Sequence, residues 1–193
     1  MQDFVIDGRR RLQMRNAEGA VPNAKRPGEG LRRIFRPAGR LCVGRGLDVG
    51  ASFFSDAEDA GLPGAVPVDR AIPGSGDAMD LSMYGEGAQD YVFHSRCLEH
   101  LPDPEKGAAE CFRVPRPGGV PFLYLPFPGH HARDPEIRAG ARPEHRWQPE
   151  PSSVSRLLTL GGFDFVYCGW DKDDLHSFAV VGRKPGRRPG LIG

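Results

Sequence analysis

Apolar and polar positions follow two different patterns along the chain, and the change falls near residue 40. Residues 1–40 are polar and basic, and Pro22, Pro27 and Pro37 interrupt them. This predicts an N-terminal extension with one short helix around Gly30–Phe35. Beyond it, short apolar runs bounded by turn residues appear. Gly46–Gly50 (GLDVG) reads as a buried strand reaching a tight turn, and Ala65–Asp69 (AVPVD) as a second strand ending in an acid. Gln89–His94 (QDYVFH) is a third, rich in β-branched and aromatic side chains. Pro104–Val114 then predicts a helix, with Pro104 where a helix can begin and Ala108, Cys111 and Phe112 at helical spacing. Arg116–Gly119 (RPGG) is expected to end that helix and turn the chain into a fourth strand, Val120–Leu125. Pro121 removes a ladder donor there and is tolerable only at a strand start or a bulge. A second helix is expected over Pro151–Leu160, with Val154, Leu157, Leu158 and Leu160 as its apolar face and Gly161–Gly162 as its cap. Phe163–Cys168 and Ser177–Val181 are the last two strands, joined by a polar turn containing Asp171–Asp174.

Strands alternating with helices predict an α/β fold, a three-layer sandwich with helices on both faces of a mostly parallel sheet. The closing pair has no helix between its strands, so the last strand is expected to be antiparallel. The expected organisation is an extension (1–40), one domain (41–185) and a short tail (186–193). With 39% hydrophobic and 26% charged residues, the 193-residue chain has the balance of a globular domain. A net charge of +1 supplies no global field for nucleic acid or membrane. Arginine clusters at Arg9–Arg11, Arg32–Arg36 and Arg183–Arg188 lie towards the ends and read as solvated. No stretch is apolar enough to span a bilayer or act as a signal peptide, which points to a cytoplasmic protein. Cys42, Cys97, Cys111 and Cys168 form no CxxC pair and suggest neither zinc nor a disulfide framework.

In an open α/β sheet, ligands bind beyond the carboxyl ends of the strands. Three features fall there in order. Gly50 lets backbone N–H groups approach a ligand. Asp69 can take both hydroxyls of a ribose, and Asp77 can accept from an exocyclic adenine amine while Met79 covers the ring. Each acid alone is as well explained as a turn or helix cap; the ordered set is more specific than any member.

GLDVG, VPVD, GDAMDL, DYVFHSRCLEHLPDPE, RPGG and FLYLP, followed by HRWQPEPSSVSRLLTLGGFDFV, resemble the successive motifs of class I methyltransferases, in particular methyltransferases of type 11. The resemblance covers about residues 44–184 and implies a Rossmann-like fold that uses S-adenosylmethionine. By position it places Gly50, Ala51 and Ser52 at the methionine moiety, Asp69 at the ribose, Asp77 and Ala78 at the adenine, and Ser95 and Arg96 at the cofactor's border. Asp48, within the first motif, and Arg70, beside Asp69, complete the expected cofactor-binding set. The family loop usually carries a second glycine where Ser52 stands.

His130 and His131 follow the fourth strand, on the side where a methyl acceptor would sit. A hydroxyl acceptor benefits from a base, and histidine titrates in the right range; the plainer alternative makes them ordinary loop residues. His130, His131 and His145 lie near one another without an HExxH pattern, so no metal site is expected. The expected activity is methyl transfer to a small-molecule or glycan-related acceptor. The alternative is a non-catalytic binding protein of the same fold with a degraded cofactor loop. A nicotinamide enzyme is disfavoured by the missing GxGxxG, and a nucleic-acid methyltransferase by the absence of a basic stripe.

Overall fold

In a computed structural model, the described residues are 5–6, 12–13, 36–51, 57, 60–128, 146–170, 173 and 177–186. Two-residue strands β1 (Val5–Ile6) and β2 (Leu12–Gln13) pair antiparallel. The main sheet comprises β3 (Gly46–Val49), β4 (Val66–Val68), β5 (Gln89–Ser95), β6 (Pro115–Pro126), β7 (Asp164–Cys168) and β8 (Ser177–Arg183). Its spatial order is β4-β3-β5-β6-β8-β7. β4, β3, β5 and β6 run parallel, whereas β8 is antiparallel to both β6 and β7. The chain moves outwards from β3 to β4 on one side and from β5 to β6 on the other. The switch point therefore lies between β3 and β5.

Alternation along the central strands feeds two cores, one per face. Tyr91 and Phe93 of β5, with Val120, Phe122 and Tyr124 of β6, enter a cluster closed by Ala38, Cys42, Ala57, Ala60 and Leu62. Ala38 belongs to helix α1 (Arg36–Leu41); the helix expected around Gly30–Phe35 falls outside the described residues. Val92, Leu123 and Leu125 point the other way, into a cluster with Cys111, Val154 and Leu158. These last come from α2 (Pro104–Arg113) and α3 (Pro151–Leu160).

Local chemistry sets the helix ends. Asp103 caps α2, its Oδ1 accepting from the Lys106 N–H at 2.9 Å, with Pro104 in the first turn. At the start of α3 the Ser153 hydroxyl accepts from the Glu150 N–H and donates to the Glu150 carbonyl. The far end of α3 is closed by Gly162 at φ +80°, which lets the N–H groups of Gly162 and Phe163 reach the carbonyls of Thr159 and Leu158. Val154 and Leu158 are buried, but Leu160 is 72% exposed, so the apolar face of α3 is narrower than the sequence suggests.

Arg116–Gly119 differs from its expected role as a free turn. It lies within β6, as a bulge between the pairs Gln89↔Pro115 and Tyr91↔Val120. Pairing resumes because Gly118 N–H and Gly119 C=O bond to Lys184, at the end of β8. Pro121 follows this bulge closely. It also stands one residue before the β6–β8 register begins at Phe122↔Val181, so it sits where a missing N–H is tolerated. Pro67 lies in β4, at the sheet edge.

Candidate functional site

A cavity of about 490 Å³ opens at the switch point, over the carboxyl ends of the parallel strands. Gly50 after β3, Asp69 after β4, and Arg96 with Cys97 after β5 all line it. Gly50 has φ +85°, and a Cβ there would overlap the Cβ and Sγ of Cys97, so glycine is required by both conformation and space. Arg70, Asp77 and Ala78 complete one wall.

Both acids are oriented before any ligand arrives. Asp69 Oδ1 accepts from the Ala71 N–H at 2.8 Å, and Ser75 Oγ bonds both the backbone N–H and the carbonyl of Asp69. Asp77 Oδ1 accepts from the Met79 N–H at 2.8 Å, and its Oδ2 lies 3.7 Å from Arg70 Nε. The turn-cap role and the cavity position thus coincide in the same side chains. Met79 packs against the core and does not line the cavity. The loop carrying Asp77 is itself clamped from α2. Glu110 Oε2 accepts from the Leu81 N–H, and Arg113 donates to Glu110 and to the carbonyls of Leu81 and Tyr84.

Of the other expected site residues, Asp48, Ala51 and Ser95 are buried and do not line the cavity. Ser52, His130 and His131 lie outside the described residues. The lining also contains residues that the sequence reading did not assign to the site: Cys97, His100, Leu101, Pro102 and Arg146. Four of them fall inside the SRCLEHLPDP motif, which was the available signal. Arg146 is brought in by a long-range contact: its N–H donates to the Glu99 carbonyl at 2.8 Å, and the Trp147 indole donates to the Leu98 carbonyl at 2.8 Å. Trp147 accordingly anchors its segment to the short 3₁₀ turn Leu98–His100, and packs against the core.

Arg96 adopts a left-handed backbone (φ +46°) where β5 ends. Its N–H donates to the Tyr124 carbonyl and its guanidinium to Ser177 Oγ at 2.6 Å. Tyr124 in turn donates to Asp173, which also accepts from the Ser177 N–H. Beneath the site, Glu99 is 1% exposed and its Oε2 has no hydrogen-bond partner. Burial pushes its carboxyl up to about 7, against the opposing pull of its own backbone N–H and of Arg96. His94 is fully buried with neither ring nitrogen bonded, and burial lowers its pKa to about 4.

In an open, mostly parallel sheet the switch point, where this chain holds an oriented carboxylate, is the place where ligands bind. Residues 47–123 match the family model described as a methyltransferase domain. Uncharacterized methyltransferases of Mycobacterium sp. strains KMS and MCS are each 32% identical over 113 residues, which is 53% of this chain and 44% of theirs. The match thus spans less than half the length of these curated relatives. A S-adenosylmethionine-dependent methyltransferase from Archaeoglobus fulgidus superposes with a TM-score of 0.60 at 17% identity, covering 81% of this chain and 94% of that one. Phosphoethanolamine N-methyltransferase 2 of Haemonchus contortus, in complex with phosphomonomethylethanolamine and S-adenosylhomocysteine, superposes at 0.58 with 15% identity, covering 80% and 52%. The chain is thus similar to a methyltransferase domain over residues 47–123, and its fold is the Rossmann-like fold of S-adenosylmethionine-dependent methyltransferases. Among the described residues no helix is long and apolar enough to cross a membrane.

Proposed function

We propose that this chain transfers the methyl group of S-adenosylmethionine to a small-molecule or glycan-related acceptor. The observation that supports the reading is the switch-point cavity, lined by Gly50, Asp69 and Asp77. The residues fit the cofactor. Gly50 leaves the space that any Cβ would fill, and the Asp69 carboxylate faces the cavity in a fixed turn. Asp69 would hold the ribose hydroxyls, Asp77 and Ala78 the adenine, and the Gly50–Ser52 backbone the methionine moiety. Asp48, Arg70, Ser95 and Arg96 would support and border that set. When bound, S-adenosylmethionine supplies an electrophilic sulfonium methyl whose thioether leaving group needs no proton. The protein's work is therefore alignment and exclusion of water, with His130 or His131 as a base for a hydroxyl acceptor. The phosphomonomethylethanolamine in the Haemonchus structure supports a small acceptor for this fold, and the near-zero net charge argues against nucleic acid.

Calorimetric titration with S-adenosylmethionine, S-adenosylhomocysteine and NAD tests the reading. Binding of the first two and not the third is expected, and absence of binding overturns it. Across a panel of small hydroxyl and amine acceptors, release of S-adenosylhomocysteine reports transfer. Where a hydroxyl acceptor turns over, His130→Asn or His131→Asn should lower the rate by roughly 100-fold, the scale of a lost general base. Cofactor binding without turnover of any acceptor would instead select the non-catalytic alternative.

A further inference from the structure

The cavity lining differs in charge between the β3–β4 side of the switch point and the β5–β6 side. On the β3–β4 side, Arg70 lies 3.7 Å from Asp77 and Asp69 stands nearby, so acids offset the cation. On the β5–β6 side stand Arg96, His100 and Arg146, and among the described residues no carboxylate lines the cavity there. The adjacent acid, Glu99, is 1% exposed and does not line the cavity, but its Oε1 lies 3.9 Å from His100 Nε2 and Arg96 acts on its carboxyl, so Arg146 is the cation of this side without an acid partner among the described residues.

The two arginines of this side differ in what holds them. The Arg96 guanidinium is tied to Ser177 Oγ at 2.6 Å. Arg146 is exposed, and among the described residues its guanidinium has no ion-pair partner. Its backbone is nevertheless fixed, because its own N–H and the neighbouring Trp147 indole are both bonded to the Leu98–His100 turn. A guanidinium on an anchored backbone, without an ion pair among the described residues, is suited to bidentate recognition of a planar or tetrahedral oxyanion.

We propose that this side of the cavity binds an anionic group, a carboxylate or phosphate, on the methyl acceptor, and that Arg146 is the residue recognising it. The inference rests on the methyltransferase reading. It assigns Arg146 to the acceptor rather than to the cofactor because the residues assigned to the nucleoside follow β3 and β4, whereas Arg146 enters from the connection between β6 and α3, beyond the switch point.

The test uses the full chain loaded with S-adenosylhomocysteine, titrated with inorganic phosphate and, separately, with acetate. At least one should bind, and the tighter of the two identifies the anion as phosphate or carboxylate. Arg146→Gln should weaken that binding at least tenfold and Arg146→Lys by less. In both variants, affinity for S-adenosylhomocysteine and its ratio to that for methylthioadenosine, which lacks the amino-acid carboxylate, should stay within twofold of wild type. The proposal is overturned if neither anion binds, if Arg146→Gln binds them as well as wild type, or if that variant selectively loses S-adenosylhomocysteine over methylthioadenosine. A wild-type chain that binds no S-adenosylhomocysteine sinks the methyltransferase reading instead. Phosphate and acetate titrations of the unloaded chain and its Arg146→Gln variant then decide the anion site by the same tenfold criterion.

Discussion

The Asp69 carboxylate caps its own turn through the Ala71 N–H while facing the cavity, and substitutions can separate the two roles. Asp69→Asn keeps an oxygen for that N–H but loses the charge that a ribose diol would feel. It should therefore fold with near wild-type stability, yet bind S-adenosylhomocysteine more weakly by about 1.5–3 kcal/mol, the scale of a hydrogen bond to a charged group. Unchanged affinity by calorimetry would leave Asp69 with the turn alone. Glu99 and His94 supply opposite pH dependences. The Glu99 carboxyl, raised to about 7 in the folded chain, binds more protons there than when unfolded. Stability associated with it therefore falls as pH rises from the ordinary carboxyl range to about 7. His94, lowered to about 4, does the reverse: folding disfavours its charged form, and stability falls as pH drops from about 6.5 towards 4. Glu99→Gln removes the first effect only. Urea denaturation should show this variant gaining stability relative to wild type at pH 8, with the gain shrinking towards pH 4.5. A gain independent of pH would refute the assignment.

At the scale of elements, α2 holds a binding loop as well as covering the sheet. Glu110 and Arg113 bracket the segment carrying Asp77, through the Leu81 N–H and the carbonyls of Leu81 and Tyr84. Arg113 holds the Glu110 carboxyl below its usual range, so this clamp contributes at neutral pH and is lost as pH falls through that lowered value. Glu110→Ala leaves the Leu81 N–H without its acceptor and should cost about 1–3 kcal/mol. It should also weaken S-adenosylhomocysteine binding, whereas Glu110→Gln, which keeps an acceptor oxygen, should retain most of both. Equal losses in the two variants, by thermal melts and calorimetry, would mean that charge rather than geometry holds the loop. This clamp was not legible in the sequence. Its partners are 29 and 32 residues apart, and neither helical spacing nor a motif links them. The bulge at Arg116–Gly119 was hidden for a related reason: proline and glycine announce a break in regular pairing, but only the Lys184 contacts from β8 turn that break into a bulge.

For the molecule as a whole, the parallel strands, both long helices and their caps could be read locally, because apolar runs, Pro104, Pro151 and Gly162 each act within a few residues. The ends of β3 and β4 likewise announced Gly50 and Asp69. Arg146 and the buried settings of Glu99 and His94 could not be read, since they depend on segments brought together from distant parts of the chain. The strand order could not be read either, and it has a consequence for synthesis. Among the described residues β8 is the last strand along the chain, yet it lies inside the sheet, between β6 and β7. A nascent chain emerging from the ribosome can assemble β3 to β6 early, but β6 then waits with an open edge, and β7 has no neighbour until residues 177–183 are out. An unpaired edge of such strands is a template for other chains. A chain truncated after residue 176 should therefore aggregate or require a chaperone, and adding residues 177–193 as a separate peptide during refolding should restore soluble material. If the truncated chain remained soluble and melted cooperatively on its own, the interior strand would be dispensable and vectorial synthesis would pose no hazard here.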